Sequence, residues 1–208
     1  MIAVIDYGVG NVFNVLKACR YVGADVQLTA DPASIQKADG IILPGVGAFR
    51  SAMDRLNQQQ LVPLIKDTVK RGTPFLGICL GMQMLFASST EFGVTPGLGL
   101  IPGQVIRLPQ QADLQVPQVG WNQNRLQQDD SIFRDIDGCY TYFVHSYYAE
   151  CPAKYVVASV DYGVQVPAIV QRGNVYGMQF HPEKSGKVGL NLLKAFMKEV
   201  QAHDLASN

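Results

Sequence analysis

PFLGICLGMQMLF, residues 74–86, is the stretch on which the fold turns. Phe75, Leu76 and Ile78 suit a short buried strand, whereas Leu80, Met84 and Leu85, with Gln83 between them, follow helical spacing. Cys79 stands at the junction, with Gly77 two residues before it and Gly81 two after. A cysteine is ordinarily a small core hydrophobe. One held on a sharp strand-to-helix turn is displayed instead. The two glycines are expected to let the backbone turn and a substrate come close. Gly77-x-Cys79-x-Gly81 is the nucleophile-elbow pattern with sulfur in place of oxygen. Such an elbow needs a base, an orienting group and an oxyanion site from elsewhere in the chain.

On either side of this stretch, strand and helix patterns alternate. Residues 1–6 read as a buried strand, 12–22 as a helix, 25–29 as a short strand and 40–44 as an apolar strand ended by Pro44. Residues 52–71 carry one long helical pattern that includes Leu61, Leu64, Ile65 and Val69. This β-α-β order predicts an α/β fold with a mostly parallel central sheet and helices on both faces. Sites in such sheets lie at the carboxyl ends of the strands, so 6–11, 44–47 and Cys79 are expected on one rim. The second half is rich in β-branched and aromatic residues. It reads as short, partly antiparallel strands at 105–108, 140–145, 155–160, 166–171 and 175–180, then a helix over 187–200. Residues 1–201 are expected to form a single domain and 202–208 a disordered tail.

Composition narrows the function. The 208 residues are 48% hydrophobic and carry 17 basic and 17 acidic groups, so nothing in the charge favours nucleic acid. Cys19, Cys79, Cys139 and Cys151 form no C-x-x-C pair, which points to reduced thiols and a cytoplasmic setting. No apolar run reaches the roughly 18 residues of a membrane span, and the first residues lack the basic start of a signal peptide.

Three histidines offer a base. His203 lies in the polar tail, and His145, in YFVHSYY, reads as a core or rim histidine. His181 sits in FHPEKS two residues before Glu183. Extended backbone puts i and i+2 on one side, and Pro182 favours extended geometry at His181. A carboxylate on Nδ1 fixes the tautomer and leaves Nε2 for a nucleophile. The PGVGAF stretch, 44–49, supplies a glycine-rich turn whose backbone N–H groups suit an oxyanion hole. It lacks the phosphate-loop pattern, and DYGVGN, 6–11, lacks the third glycine of a dinucleotide fingerprint.

GICLGMQ with a distant FHPE resembles the class I (triad) glutamine amidotransferases. Within them, DYGVGN, LPGVGAF, GICLGMQMLF, VGWN, YFVHSYY and FHPEKS resemble the glutaminase subunits that serve a (β/α)8-barrel cyclase in histidine biosynthesis. The resemblance implies hydrolysis of glutamine by a Cys79–His181–Glu183 triad through a cysteinyl thioester, with no metal or organic cofactor. The N-terminus of the helix after Cys79 would add a dipole that favours the thiolate. The resemblance also implies an oxyanion hole from the N–H groups of Val46, Gly47 and Leu80, in a turn that rearranges to become competent. Gln83, Glu91 and the backbone of Gly47, Ser146 and Tyr147 would hold glutamine. Asn11, Asn14, Trp121 and Lys184 would meet the cyclase, which receives the ammonia in a heterodimer. Three other readings stay open: the glutaminase subunit of another amidotransferase such as pyridoxal phosphate synthase, a cysteine hydrolase of glyoxalase-like type, and a binding module with an inert cysteine.

Overall fold

The computed structural model describes residues 1–8, 11–112 and 114–207. In chain order the elements are β1 (Ile2–Ile5), α1 (Val12–Tyr21), β2 (Val26–Thr29), α2 (Pro32–Gln36), β3 (Gly40–Gly45), α3 (Phe49–Gln58), α4 (Leu61–Lys70), β4 (Phe75–Cys79) and α5 (Leu80–Gln83). There follow β5 (Ser88–Ser89), β6 (Thr95–Pro96), β7 (Gln104–Arg107), β8 (Gln118–Gln123), β9 (Arg125–Leu126), β10 (Tyr140–His145), β11 (Tyr147–Glu150), β12 (Val156–Asp161), β13 (Gln165–Arg172), β14 (Val175–Met178) and α6 (Gly186–Ser207).

An eight-stranded sheet runs β2-β1-β3-β4-β14-β13-β12-β9. The first five strands are parallel, and the pairings from β14 onward are antiparallel. Every residue of β1, β3, β4 and β14 is buried, as expected of parallel strands covered on both faces, and each reads as an apolar run. Alternate side chains go to opposite layers. Val4, Ile42, Leu76 and Met178 pack with Val15 and Leu16 of α1 and Leu192 and Phe196 of α6. Ala3, Ile41, Leu43 and Phe75 pack with Met53 and Leu56 of α3 and Leu61 and Ile65 of α4. Each such Leu, Ile or Phe contributes roughly 1.5–3 kcal/mol by burial, which fixes the sheet on which the site is built.

Two small sheets stand beside the large one: an antiparallel ribbon of β8 and β10, and a four-stranded sheet in the order β11-β7-β5-β6. The ribbon places Trp121 opposite Tyr142 and Gln118 opposite His145.

The structure departs from the sequence pattern at several points. The helix expected over 52–71 is two helices, because Gln60 at φ 56° breaks the run. The helix expected to continue through Leu85 stops after Gln83. The carbonyls of Met84, Leu85 and Phe86 accept instead from the backbone of 98–101, so the chain cannot keep coiling. The short helix α2 is capped by Asp31, whose carboxylate accepts from Ser34 N at 2.9 Å, with Pro32 in its first turn. The last helix continues past Val200 to Ser207, with no glycine or proline after Gly189 to stop it. Val9 and Gly10 of the DYGVGN motif and residue 208 of the expected tail lie outside the described residues.

Candidate active site

Strand order brings the chemistry together. β4 lies between β3 and β14, with Cys79 level with Gly45 and Ile78 level with Met178. The β3 tip is therefore on one side of Cys79, and the chain leaving β14 toward His181 is on the other.

Cys79 sits at φ 55°, ψ −112°, a backbone state that L residues rarely adopt. The glycines around it are needed for space. Neither Gly77 nor Gly81 has a positive φ, but a Cβ on Gly81 would lie 1.8 Å from Leu43 O and one on Gly77 2.6 Å from Gly81 O. They let backbone pack on backbone at the elbow, which replaces the expectation that they admit substrate. The expected helix dipole is corrected too: α5 has four residues, too short for its dipole to weigh much at Cys79.

His181 is extended (φ −96°, ψ 99°), as the following proline predicts, but Pro182–Lys184 then form a 3-10 turn. The turn, and not a continuing strand, swings Glu183 back so that Oε1 is 2.8 Å from His181 Nδ1. Both side chains are almost wholly buried. The backbone is pinned as well: His181 N donates to Tyr142 O at 3.0 Å, and Ser185 Oγ donates to His181 O at 2.7 Å. Burial works to lower the His181 pKa, but Cys79 and Glu183 outweigh it and hold the imidazole at about 9. Nδ1 is taken by Glu183, and among the described residues Nε2 has no partner of ordinary hydrogen-bond geometry. It is left for the Cys79 sulfur. Cys19, by contrast, is a buried thiol pushed up to about 12 by burial and by the Glu183 charge.

A cleft of about 600 Å³ opens over Cys79 and His181. Of the residues singled out from sequence, Val46, Gly47, Leu80, Gln83, Glu91, Ser146, Tyr147 and Lys184 all line it. Gln83 is held by its Nε2, which donates to Tyr147 O at 2.8 Å and to Gln179 Oε1 at 3.0 Å. Glu91 Oε2 accepts from Phe49 N at 2.7 Å, capping α3, whose own N-cap residue, Ala48, has no side-chain oxygen. Glu91 thus also fixes the end of the 45–49 turn. Gly47 in that turn has φ 96°. Tyr7 Oη donates to Pro44 O at 2.8 Å and holds the start of the turn from below.

Asn11, Asn14 and Trp121 lie off the cleft. Asn14 Nδ2 donates to Asn11 Oδ1 at 2.9 Å at the surface. Trp121, 52% exposed, meets Tyr142 edge-on at 6.1 Å, and Lys184 Nζ stands 5.9 Å from the Tyr142 ring centre, so this group reaches the cleft's rim through Lys184. Sequence reasoning missed Phe92, Arg107, Pro117 and Val144 as lining residues and gave His145 no role in the site. The first four carry no local pattern. His145 precedes Ser146 in the strand end that does reach the cleft. Among the described residues, no group of three His, Cys, Asp or Glu side chains is placed to hold a metal ion.

Residues 3–200 match the glutamine amidotransferase class-I family. Over all 208 residues, and the whole of the relative, the chain is 56% identical to imidazole glycerol phosphate synthase subunit HisH of Lactiplantibacillus plantarum. The same protein of Lacticaseibacillus casei is 52% identical over 99% of each chain, and that of Listeria monocytogenes 47% over 96% of each. Among solved structures, a putative GMP synthase protein from Thermoplasma acidophilum superposes with a TM-score of 0.74 at 21% identity, covering 99% of this chain and 96% of that one. PurLQS from Thermotoga maritima gives 0.74 at 19%, covering 96% and 98%. These two show the fold alone.

Proposed function

The chain belongs to the class I glutamine amidotransferase family, and from that premise we propose that Cys79, His181 and Glu183 are its nucleophile, acid–base and orienting carboxylate. It serves as the glutaminase subunit of an imidazole glycerol phosphate synthase in histidine biosynthesis, paired with a cyclase. The alternative of a pyridoxal phosphate synthase glutaminase finds no support among these relatives. The observation that carries the catalytic assignment is the buried His181–Glu183 contact of 2.8 Å, with Nε2 left for a cysteine on a positive-φ turn.

The reaction follows from this geometry. An imidazolium held up to about pH 9 stabilises a thiolate beside it. The Cys79 sulfur bonds to the carboxamide carbon of glutamine, and the oxyanion accepts from the N–H groups of Val46, Gly47 and Leu80. The C–N bond breaks as His181 gives its proton to the leaving nitrogen, and ammonia departs. Water then gives a proton to His181 and its oxygen to the thioester carbon. The C–S bond breaks, the new carboxyl gives water's other proton to solvent as glutamate leaves, and the thiolate–imidazolium pair is restored. Glu183 keeps the His181 tautomer fixed throughout. Gln83, Glu91 and the backbone of Gly47, Ser146 and Tyr147 hold the amino-acid end of glutamine.

The cyclase docks on the outer face of the β8–β10 ribbon. Val119, Trp121 and Tyr140 are each more than half exposed there, next to Tyr142 and Lys184 at the cleft's rim. Asn11 and Asn14, at the start of α1, where Phe13 is 76% exposed, meet the cyclase as well. Aromatic anchors at a cleft's mouth suit a partner that must receive ammonia before it mixes with water. The reaction belongs in the cytoplasm and calls on neither nucleic acid nor membrane. Among the described residues, no helix is long and apolar enough to cross a membrane.

Intact-mass spectrometry of an acid-quenched turnover mixture tests the assignment. A glutamyl adduct on Cys79 that accumulates and decays is expected. Turnover with no adduct, or with one on Cys19, Cys139 or Cys151, contradicts it.

A further inference from the structure

His145 is a buried imidazole of the cleft that the triad leaves unused. It ends β10, is 7% exposed, and lines the cleft with Cys79 and His181. Its Nδ1 lies 2.9 Å from Tyr147 O. A carbonyl only accepts, so Nδ1 carries the proton and Nε2 presents a lone pair. That Nε2 is buried and has no partner among the described residues. Directly across the ribbon is Gln118, fully buried, whose Nε2 donates to Asn122 Oδ1 at 2.9 Å while its Oε1 is also without a partner. The inner face of the ribbon therefore carries two unpaired acceptors on cross-strand positions. Burial pushes the His145 pKa down to about 4; the Tyr147 bond opposes this in part, and the His181 charge reinforces it. The ring is then a neutral acceptor through the physiological range.

Buried acceptors of this kind need a ligand group with N–H or O–H to give. The oxygens of the glutamine carboxylate and carboxamide give none. The carboxamide nitrogen gives two N–H groups, and ammonia three; the α-ammonium gives three as well, but it belongs to the amino-acid end, which Gln83, Glu91 and the backbone of Gly47, Ser146 and Tyr147 hold. During C–N cleavage this nitrogen goes from planar to pyramidal, and its lone pair must turn toward the proton on His181. Resting on the glutaminase reading, we propose that His145 Nε2 accepts an N–H of the glutamine carboxamide and holds the departing nitrogen while His181 protonates it. No proton passes to or from His145. The C–N bond breaks, the His181 proton moves to nitrogen, and neutral ammonia is left hydrogen-bonded to Nε2, beside the ribbon whose outer face meets the cyclase. A group that cannot donate through Nε2 does not turn ammonia into ammonium, which preserves it as a nucleophile.

The test compares two substrates with the same acyl group in the complex with the cyclase and its nucleotide ligand. One is glutamine. The other is the γ-methyl ester of glutamate, whose leaving group has no N–H in the bound state. His145→Leu removes the acceptor, with His145→Ala in reserve if the leucine variant does not fold. His145→Gln can still donate to Tyr147 O and offer an oxygen to the substrate. Alkylation of Cys79 by a glutamine-derived chloroketone at the parent rate shows that each variant retains its site. We expect His145→Leu to lower kcat/KM for glutamine roughly ten- to a hundredfold and for the ester less than about threefold, with His145→Gln near the parent on both. Equal losses on amide and ester, or no loss on the amide, overturn the proposal. If the parent complex shows no Cys79-dependent turnover of either substrate, the glutaminase reading fails first and this one falls with it.

Discussion

Replacing Gly81 with alanine tests whether the elbow is built by backbone contact. The added Cβ would lie 1.8 Å from Leu43 O and 2.8 Å from Leu43 C, both backbone atoms at the end of β3. A tolerable separation is a little over 3 Å, so α5 and β3 must part by roughly 1.5 Å. Neither side has room to give. Leu80 and Met82 are buried on one side of the contact, and Leu43 is fully buried on the other. Overpacking of this kind costs about 3 kcal/mol, which for a chain of this size lowers Tm by roughly 6–12 °C. The same displacement carries Cys79 away from His181 and the 45–47 turn, and a misplacement of about 1 Å costs on the order of a hundredfold in turnover. Differential scanning calorimetry and glutamate release report the two effects. Gly173→Ala is the control: its φ is 56° but nothing among the described residues lies within 4 Å, so it should cost only about 1 kcal/mol. Parent-like Tm and turnover in Gly81→Ala would refute the packing argument. So would a loss in Gly173→Ala as large as in Gly81→Ala.

Glu183→Gln removes one of the groups that hold His181 at about 9, so the alkaline limb of Cys79 alkylation should move to lower pH; an unmoved limb contradicts the pairing. The sign for stability follows. A folded-state pKa raised from 6.5 to about 9 contributes stability that is complete below about 6.5 and lost as pH rises through about 9, and in Glu183→Gln that loss should begin at lower pH in urea titrations. Glu91→Ala removes the α3 cap, so Tm should fall by the roughly 2–4 °C that goes with about 1 kcal/mol, and KM for glutamine should rise more than kcat falls. Trp121→Ala should leave Tm within a few degrees, because the side chain is half exposed, yet weaken cyclase binding about thirtyfold by calorimetry. Iodoacetamide at neutral pH should label Cys79 well before Cys19 or Cys151, whose thiols burial pushes up to about 12 and 11.

What could be read from the sequence divides along a physical line. β1, β3 and β4 are continuous apolar runs, because both faces of the parallel sheet are covered, and local pattern is enough to find them. The strand at Tyr140–His145 alternates and was legible for the same kind of reason. Cys79 and the His181–Glu183 pair were legible because the chemistry dictates residue types at short spacings. The elements missed owe their form to distant partners. Ser88–Ser89 and Thr95–Pro96 are strands only because they pair with each other and because 88–89 pairs with 104–105. The helix after Cys79 ends where residues 98–101 take the carbonyls of Met84, Leu85 and Phe86, just past it. The break at Gln60 is a different case: the run contains Pro63, which has no N–H for a helix interior and falls in the first turn of α4, so a local signal was there and was outweighed by the apolar spacing. The purpose of Gly77 and Gly81 was misread for a related cause: the atoms they must clear belong to Gly81 and Leu43, and the β3 contact is invisible in the sequence of the elbow.

The central claim is that Cys79 releases ammonia from glutamine for a cyclase partner. The most direct measurement is glutamate formation by the chain alone, with the cyclase, and with cyclase plus its nucleotide ligand, each beside Cys79→Ala. The account predicts low turnover alone, strong stimulation by the liganded cyclase, and none in Cys79→Ala. Glutamate formation that survives Cys79→Ala, or that the liganded cyclase leaves unchanged, would contradict it.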